Sequence, residues 1–136
     1  MNPLPKPKTL LVDETRRTLR LAQTFLSQDC DVVACDSVHE AMEQLESVGF
    51  HVMVASAHLT SVNVFELVSM ARELQPHLHC VVISDVAMPN EVLQTYPHVR
   101  GITAPYHPAA LIAQVERLVA EGEAAADALY PSRAEG

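Results

Sequence analysis

The sequence predicts an α/β fold: a doubly wound, five-stranded parallel sheet with helices on both faces. Three observations carry that prediction. Short apolar runs with no helical period, such as residues 52–57 and 80–83, recur along the chain. Each is followed by a polar stretch or by residues that place apolar side chains at helical spacing. This strand-then-helix alternation occurs five times within 136 residues, 49% of them hydrophobic, which is enough apolar matter for one core. Strands buried on both faces and joined through helices imply a parallel sheet, because right-handed crossovers carry the helices to its two sides.

The elements follow in order. Residues 9–12 (Thr-Leu-Leu-Val) form β1, which stops at the acidic pair Asp13-Glu14. Over 15–28, Leu19, Ala22, Phe25 and Leu26 share one face and Arg16, Arg17 and Arg20 take the other, giving α1. Residues 32–35 give β2. Ser37-Val38-His39-Glu40 then fits a capping box, in which Ser37 and Glu40 satisfy each other's exposed amides. The face Val38, Ala41, Met42, Leu45 and Val48 defines α2, with Gly49 placed as a left-handed residue ending it. Residues 52–55 give β3, and Val64, Leu67, Val68, Ala71 and Leu74 give α3, halted by Pro76. Residues 80–83 are β4, 89–94 at most a short α4, and 99–103 β5. Pro108 opens α5 as its first helical residue, with the face Leu111, Ile112, Val115, Leu118 and Val119. The expected organisation is a flexible lead over 1–7, one domain over 8–121, and a tail or linker over 122–136, where an Ala- and Glu-rich helix extension frays.

Composition removes several functions. Nine Lys and Arg stand against 17 Asp and Glu, a net charge of −8, and no basic run is denser than Lys6/Lys8 or Arg16/Arg17, so direct nucleic-acid binding is not expected. No apolar stretch is long enough for a bilayer and the N-terminus lacks the apolar core of a signal peptide, which predicts a cytoplasmic protein without a membrane role. Cys30, Cys35 and Cys80 are odd in number and form no CxxC pair, so they read as small core residues.

In sheets of this class function gathers at the C-terminal ends of the strands, here the loops after Val12, Ala55, Ile83 and Thr103. Three motifs lie at those places, Leu10-Leu11-Val12-Asp13-Glu14, Val81-Val82-Ile83-Ser84, and the run from Ile102 through Pro105 and Pro108 to Leu111, and a fourth, Phe65-Glu66-Leu67, lies in helix three. In that order and spacing, residues 8–121 resemble a receiver domain of the two-component response regulators. The resemblance implies a flavodoxin/CheY-like (βα)5 fold, a role in signal transduction, and a cis Ala104–Pro105 bond, while Pro89 and Pro97 between Ser84 and Ala104 predict a short or irregular fourth helix.

That family accepts a phosphoryl group on a carboxylate after strand three. Two acids after strand one hold Mg²⁺, and a hydroxyl after strand four and a lysine after strand five complete the site. Cation and metal together neutralise the transferring group. Carried onto this sequence, the acceptor position is Ser56 and the lysine position Ala104, while Asp13, Glu14, Ser84 and Pro105 match the pattern. A serine forms no acyl phosphate, and its hydroxyl is a poor nucleophile without an adjacent base. Asp13 and Glu14 alone would hold Mg²⁺ weakly at most, and otherwise form a solvated acidic loop. The aromatic expected on strand five falls at Gly101, and the loop after strand three is Thr60-Ser61-Val62-Asn63-Val64 in place of the family's proline- and glycine-bearing turn. The expectation is therefore a degenerate pseudo-receiver: no enzyme, no required cofactor, and a phosphorylation-independent module that meets a protein partner or a second copy through α4, β5 and α5. The alternatives are a phosphorylation-gated regulator using a non-standard acceptor, or a small-ligand module of the same fold, disfavoured because the glycine-free acidic loop after β1 is no phosphate cradle.

Other polar residues have plainer readings. Ser56 and Ser84 are expected to satisfy nearby backbone groups. His77, His79 and Cys80 mark the entry to a strand, because alternation sends Cys80 to the opposite face from the two histidines. Asp85 is expected to cap a helix ahead of Pro89. His58 is placed near the acceptor position, where an imidazole would sense pH or hold an anion.

Overall fold

A computed structural model describes residues 6–129, with side chains described up to Gly122. The predicted residues 1–5 of the lead and 130–136 of the tail lie outside this range. The element order is β1 (Lys8–Val12), α1 (Arg16–Leu26), β2 (Asp31–Cys35), α2 (Val38–Ser47), β3 (Val52–Ser56), α3 (Val64–Leu74), β4 (His79–Ser84), α4 (Asn90–Thr95), β5 (Val99–Thr103) and α5 (Pro108–Leu129). All strand pairs are parallel, in the order β2-β1-β3-β4-β5. This is the predicted doubly wound (βα)5 fold, and α4 is the short helix the two prolines around it imply.

The period of two in the central strands divides the core between the two faces of the sheet. Leu11, Val52, Val54 and Val81 pack with Leu19, Ala22 and Leu26 of α1 and with Leu111, Val115 and Leu118 of α5. On the other face Leu10, Val12, Met53, Ala55, Cys80 and Val82 meet the apolar stripes of α2 and α3. Leu11 and Leu10 are adjacent in sequence and belong to different faces, as the pleat requires. The three cysteines are free and buried; burial raises the Cys30 thiol and pushes those of Cys35 and Cys80 up to about 12. They are inert packing residues.

Three local details depart from the sequence reading. Gly49 is not in the left-handed region. Instead Val48 leaves α2 in an extended conformation (φ −132°, ψ 135°). The helix end is closed by Gln75, which donates through Nε2 to the carbonyls of Leu45 (2.9 Å) and Val48 (2.6 Å) and accepts from Phe50 N (2.9 Å). A side chain from the end of α3 thus supplies what a left-handed glycine would have supplied. Secondly, only half of the capping box forms: Glu40 N donates to Ser37 Oγ (3.1 Å), with no return bond from the Glu40 carboxylate. Thirdly, Leu74 is 42% exposed rather than part of the α3 core face. Beyond residue 121, α5 runs on to Leu129, where the sequence reading places a helix extension.

Candidate functional site at the C-terminal edge of the sheet

The chain leaves each of β1, β3, β4 and β5 at one edge, and there the candidate residues collect. Asp13 follows β1 and is only 7% exposed. Its Oδ1 accepts from Thr15 N (2.9 Å) and its Oδ2 from the Thr18 hydroxyl, so both carboxylate oxygens serve the first turn of α1. Thr15, the residue before α1, makes no side-chain cap, which leaves that work to Asp13.

Glu14 turns the other way. Its Oε1 accepts from the backbone N–H and hydroxyl of Thr60, and its Oε2 from the Ser61 hydroxyl. The Ser61 hydroxyl first, then the Thr60 N–H, hold the Glu14 carboxyl below its ordinary value, against a smaller opposing effect of burial. The loop after β3, notable in the sequence for having hydroxyls where the resembling family has proline and glycine, is therefore the partner of the second acid after β1.

Ser56 ends β3 with its hydroxyl accepting from His58 N (3.0 Å). Ser84 ends β4 and donates its hydroxyl to the Val86 carbonyl. The loops beyond are tied down by strand-like bonds, Ala57 N to Ile83 O (2.8 Å) and Ala104 N to Ser84 O (2.7 Å). The Ala104–Pro105 bond is cis. His58 Nε2 lies 2.9 Å from Asp85 Oδ2. Asp85 therefore faces a histidine across two loops instead of capping α4, whose N-terminal flank is Pro89 with no side-chain cap.

A cavity of about 330 Å³ opens among these groups. Asp13, Ser56, Ala104 and Pro105 line it together with His58 and Asp85, while Glu14 and Ser84 are outside its wall. Its other side, which the sequence reading did not assemble, is apolar: Leu21 and Phe25 from α1, and Tyr106 beyond β5. Phe25 and Tyr106 meet edge to face with ring centroids 6.2 Å apart. Burial raises the Tyr106 phenol pKa, and the nearby Asp13 charge adds to that. The sequence reading puts Phe25 on the apolar face of α1 with Leu19, Ala22 and Leu26, whereas in the structure those three are buried and Phe25 is left half-buried at the cavity wall.

The donor set does not suit a divalent cation. A hard cation takes about six oxygen ligands. Here the carboxylates of Asp13 and Glu14 are turned to different loops and do not both face the cavity, and the third position offers the Ser56 hydroxyl. Among the described residues no group of three or more His, Cys, Asp or Glu side chains is arranged to hold a metal ion. Over β5, the Gly101 position is covered by Met88, whose sulfur would lie 3.3 Å from a Cβ there.

No protein-family model and no curated protein matches the sequence. Solved structures do. A CheY-like response regulator receiver domain protein from Methanospirillum hungatei superposes with a TM-score of 0.76 at 18% identity, over 87% of this chain and 97% of that one. A response regulator receiver protein from Sinorhizobium medicae gives 0.77 at 23% identity, over 88% and 99%. A structure described as adenylate cyclase from Rhodopirellula baltica gives 0.83 at 17% identity, over 94% and 98%. The fold is the receiver fold. Within it, β3 ends on Ser56 and β5 is followed by Ala104, and no helix among the described residues is long and apolar enough to cross a membrane.

Proposed function

We propose that this receiver fold acts in signal transduction without accepting a phosphoryl group, as a non-enzymatic, cytoplasmic module that binds a protein partner or a second copy of itself. The observation that carries this reading is the end of β3. Ser56 stands at the acceptor position with its hydroxyl bonded to His58 N, and none of the residues lining the cavity around it is a lysine or arginine. Forming an acyl phosphate needs a carboxylate nucleophile, and cations offset the charge that develops in the transfer. The acidic balance of the chain suits a basic or mixed partner surface. The face formed by α4, β5 and α5 is the proposed contact: α4 buries none of its residues and Val86, just before it, is 72% exposed.

Thermal stability and amide NMR shifts of the protein with Mg²⁺, and then with Mg²⁺ plus beryllofluoride, test the reading, because a ligand bound to the native state must stabilise it. No response is expected. A saturable shift around Asp13 and Ser84 would overturn the reading in favour of a live acceptor. The double substitution Ser56→Asp with Ala104→Lys is expected to create Mg²⁺-dependent labelling by a small phosphodonor.

A further inference from the structure

A docking role leaves the 330 Å³ cavity without a use. That volume falls at the lower end of the range of small-molecule sites, roughly 300–1,000 Å³, which are mostly apolar with a few convergent polar groups. The cavity has that character. Leu21, Phe25, Ile83, Pro105 and Tyr106 supply apolar walls from three parts of the chain, and the edge-to-face contact of Phe25 with Tyr106 fixes two of them. Leu21, at 52% exposure, is one of three large apolar side chains left well exposed among the described residues.

Electrostatics define the occupant. Asp13 borders the cavity at 7% exposure and forms no ion pair among the described residues. Each of its oxygens accepts one hydrogen bond, leaving acceptor capacity on both. The one basic residue lining the cavity, His58, is already against Asp85. A buried carboxylate without a cation is costly, and a cationic ligand relieves that cost, whereas an anion would meet Asp13 with nothing to offset it. Aromatic walls further favour a flat ring and a positive charge.

We propose that the cavity binds a small aromatic amine, its ring against Phe25, Leu21 and Tyr106 and its ammonium group on the Asp13 carboxylate. The site takes the place of anion chemistry at this edge: with no lysine or arginine in the lining and Asp85 already facing His58, Asp13 selects for the opposite charge. The inference is independent of the docking role, and its test does not involve Mg²⁺ or beryllofluoride.

The test is an amide NMR titration of the full chain with three probes of one shape: benzylamine, benzyl alcohol and benzoate. Benzylamine is expected to give saturable shifts at Phe25, Ala104 and Tyr106. Benzyl alcohol should bind about tenfold more weakly, the loss of one charge-assisted hydrogen bond, and benzoate more weakly still. Asp13→Asn should bring benzylamine down to the level of benzyl alcohol. Ala104→Leu, at a half-exposed position on the cavity wall, should abolish binding while the dispersed spectrum of a folded protein remains. Absence of saturation with all three probes, benzoate binding as well as benzylamine, or unchanged benzylamine binding in folded Asp13→Asn would each overturn the proposal. Should Asp13→Asn fail to fold, the probe ranking and Ala104→Leu decide.

Discussion

Each edge of the sheet is held by one side chain that reaches across to another loop, and the two clamps differ in kind. At the N-terminal edge, the neutral amide of Gln75 bridges the carbonyls of Leu45 and Val48 and the N–H of Phe50. At the C-terminal edge, the carboxylate of Glu14 gathers the Thr60 N–H and the Thr60 and Ser61 hydroxyls. Gln75 satisfies groups that the end of α2 and the turn into β3 would otherwise leave without partners, so its bonds are hard to replace. Glu14 binds exposed hydroxyls that water can serve instead, and its hold depends on its charge. The edge that carries the candidate site is therefore the conditional one, and the opposite edge is fixed.

The largest effect is expected from Gln75→Ala. Three hydrogen bonds of about 1 kcal/mol each predict a loss of about 2–3 kcal/mol in urea unfolding, equal at pH 5 and pH 8 because nothing ionises. A loss well below 1 kcal/mol would dissolve the comparison. Glu14→Gln should cost less, under about 1 kcal/mol, as surface polar contacts do. Its signature is the pH dependence. The folded-state pKa of Glu14 is lowered, chiefly by the Ser61 hydroxyl, so its contribution is fully present above the ordinary carboxylate value and is lost as pH falls through the lowered one. Glu14→Gln should flatten that part of the acid limb, and an unchanged limb would show that the clamp carries no charge-dependent stability.

The smallest effect concerns the histidines near the Gln75 edge. His79 begins β4 and faces His98 with ring centroids 5.3 Å apart. Burial lowers both pKa values. Arg72 and Arg100 push the same way at each ring, and Glu121 opposes them at His79. The unfolded chain therefore binds these protons first as pH falls: the contribution is complete above the ordinary imidazole value and declines below it. His98→Phe should shallow the slope of stability between pH 7 and pH 5. A slope identical to that of the parent protein would place the mild-acid sensitivity elsewhere.

The sequence by itself determined the five-fold alternation, the limits of α3 and β5, the Ser37 cap, the brevity of α4, Pro108 as the first residue of α5, and the edge at which the candidate residues gather. Those features are encoded within about ten residues by apolar period, capping chemistry and the missing N–H of proline. Tertiary structure decided the rest. Gln75 rather than Gly49 closes α2, Glu14 reaches Thr60 across 46 positions, and Asp85 meets His58 instead of capping a helix. The cavity needs Leu21 and Phe25 from α1, Ile83 from β4 and Tyr106 beyond β5, three separate repeats. The physical reason is common to all four. A local pattern says which face of an element is apolar, but a side chain's polar partner depends on which loops the packed sheet brings within hydrogen-bond reach, and that distance exists only once the core has formed.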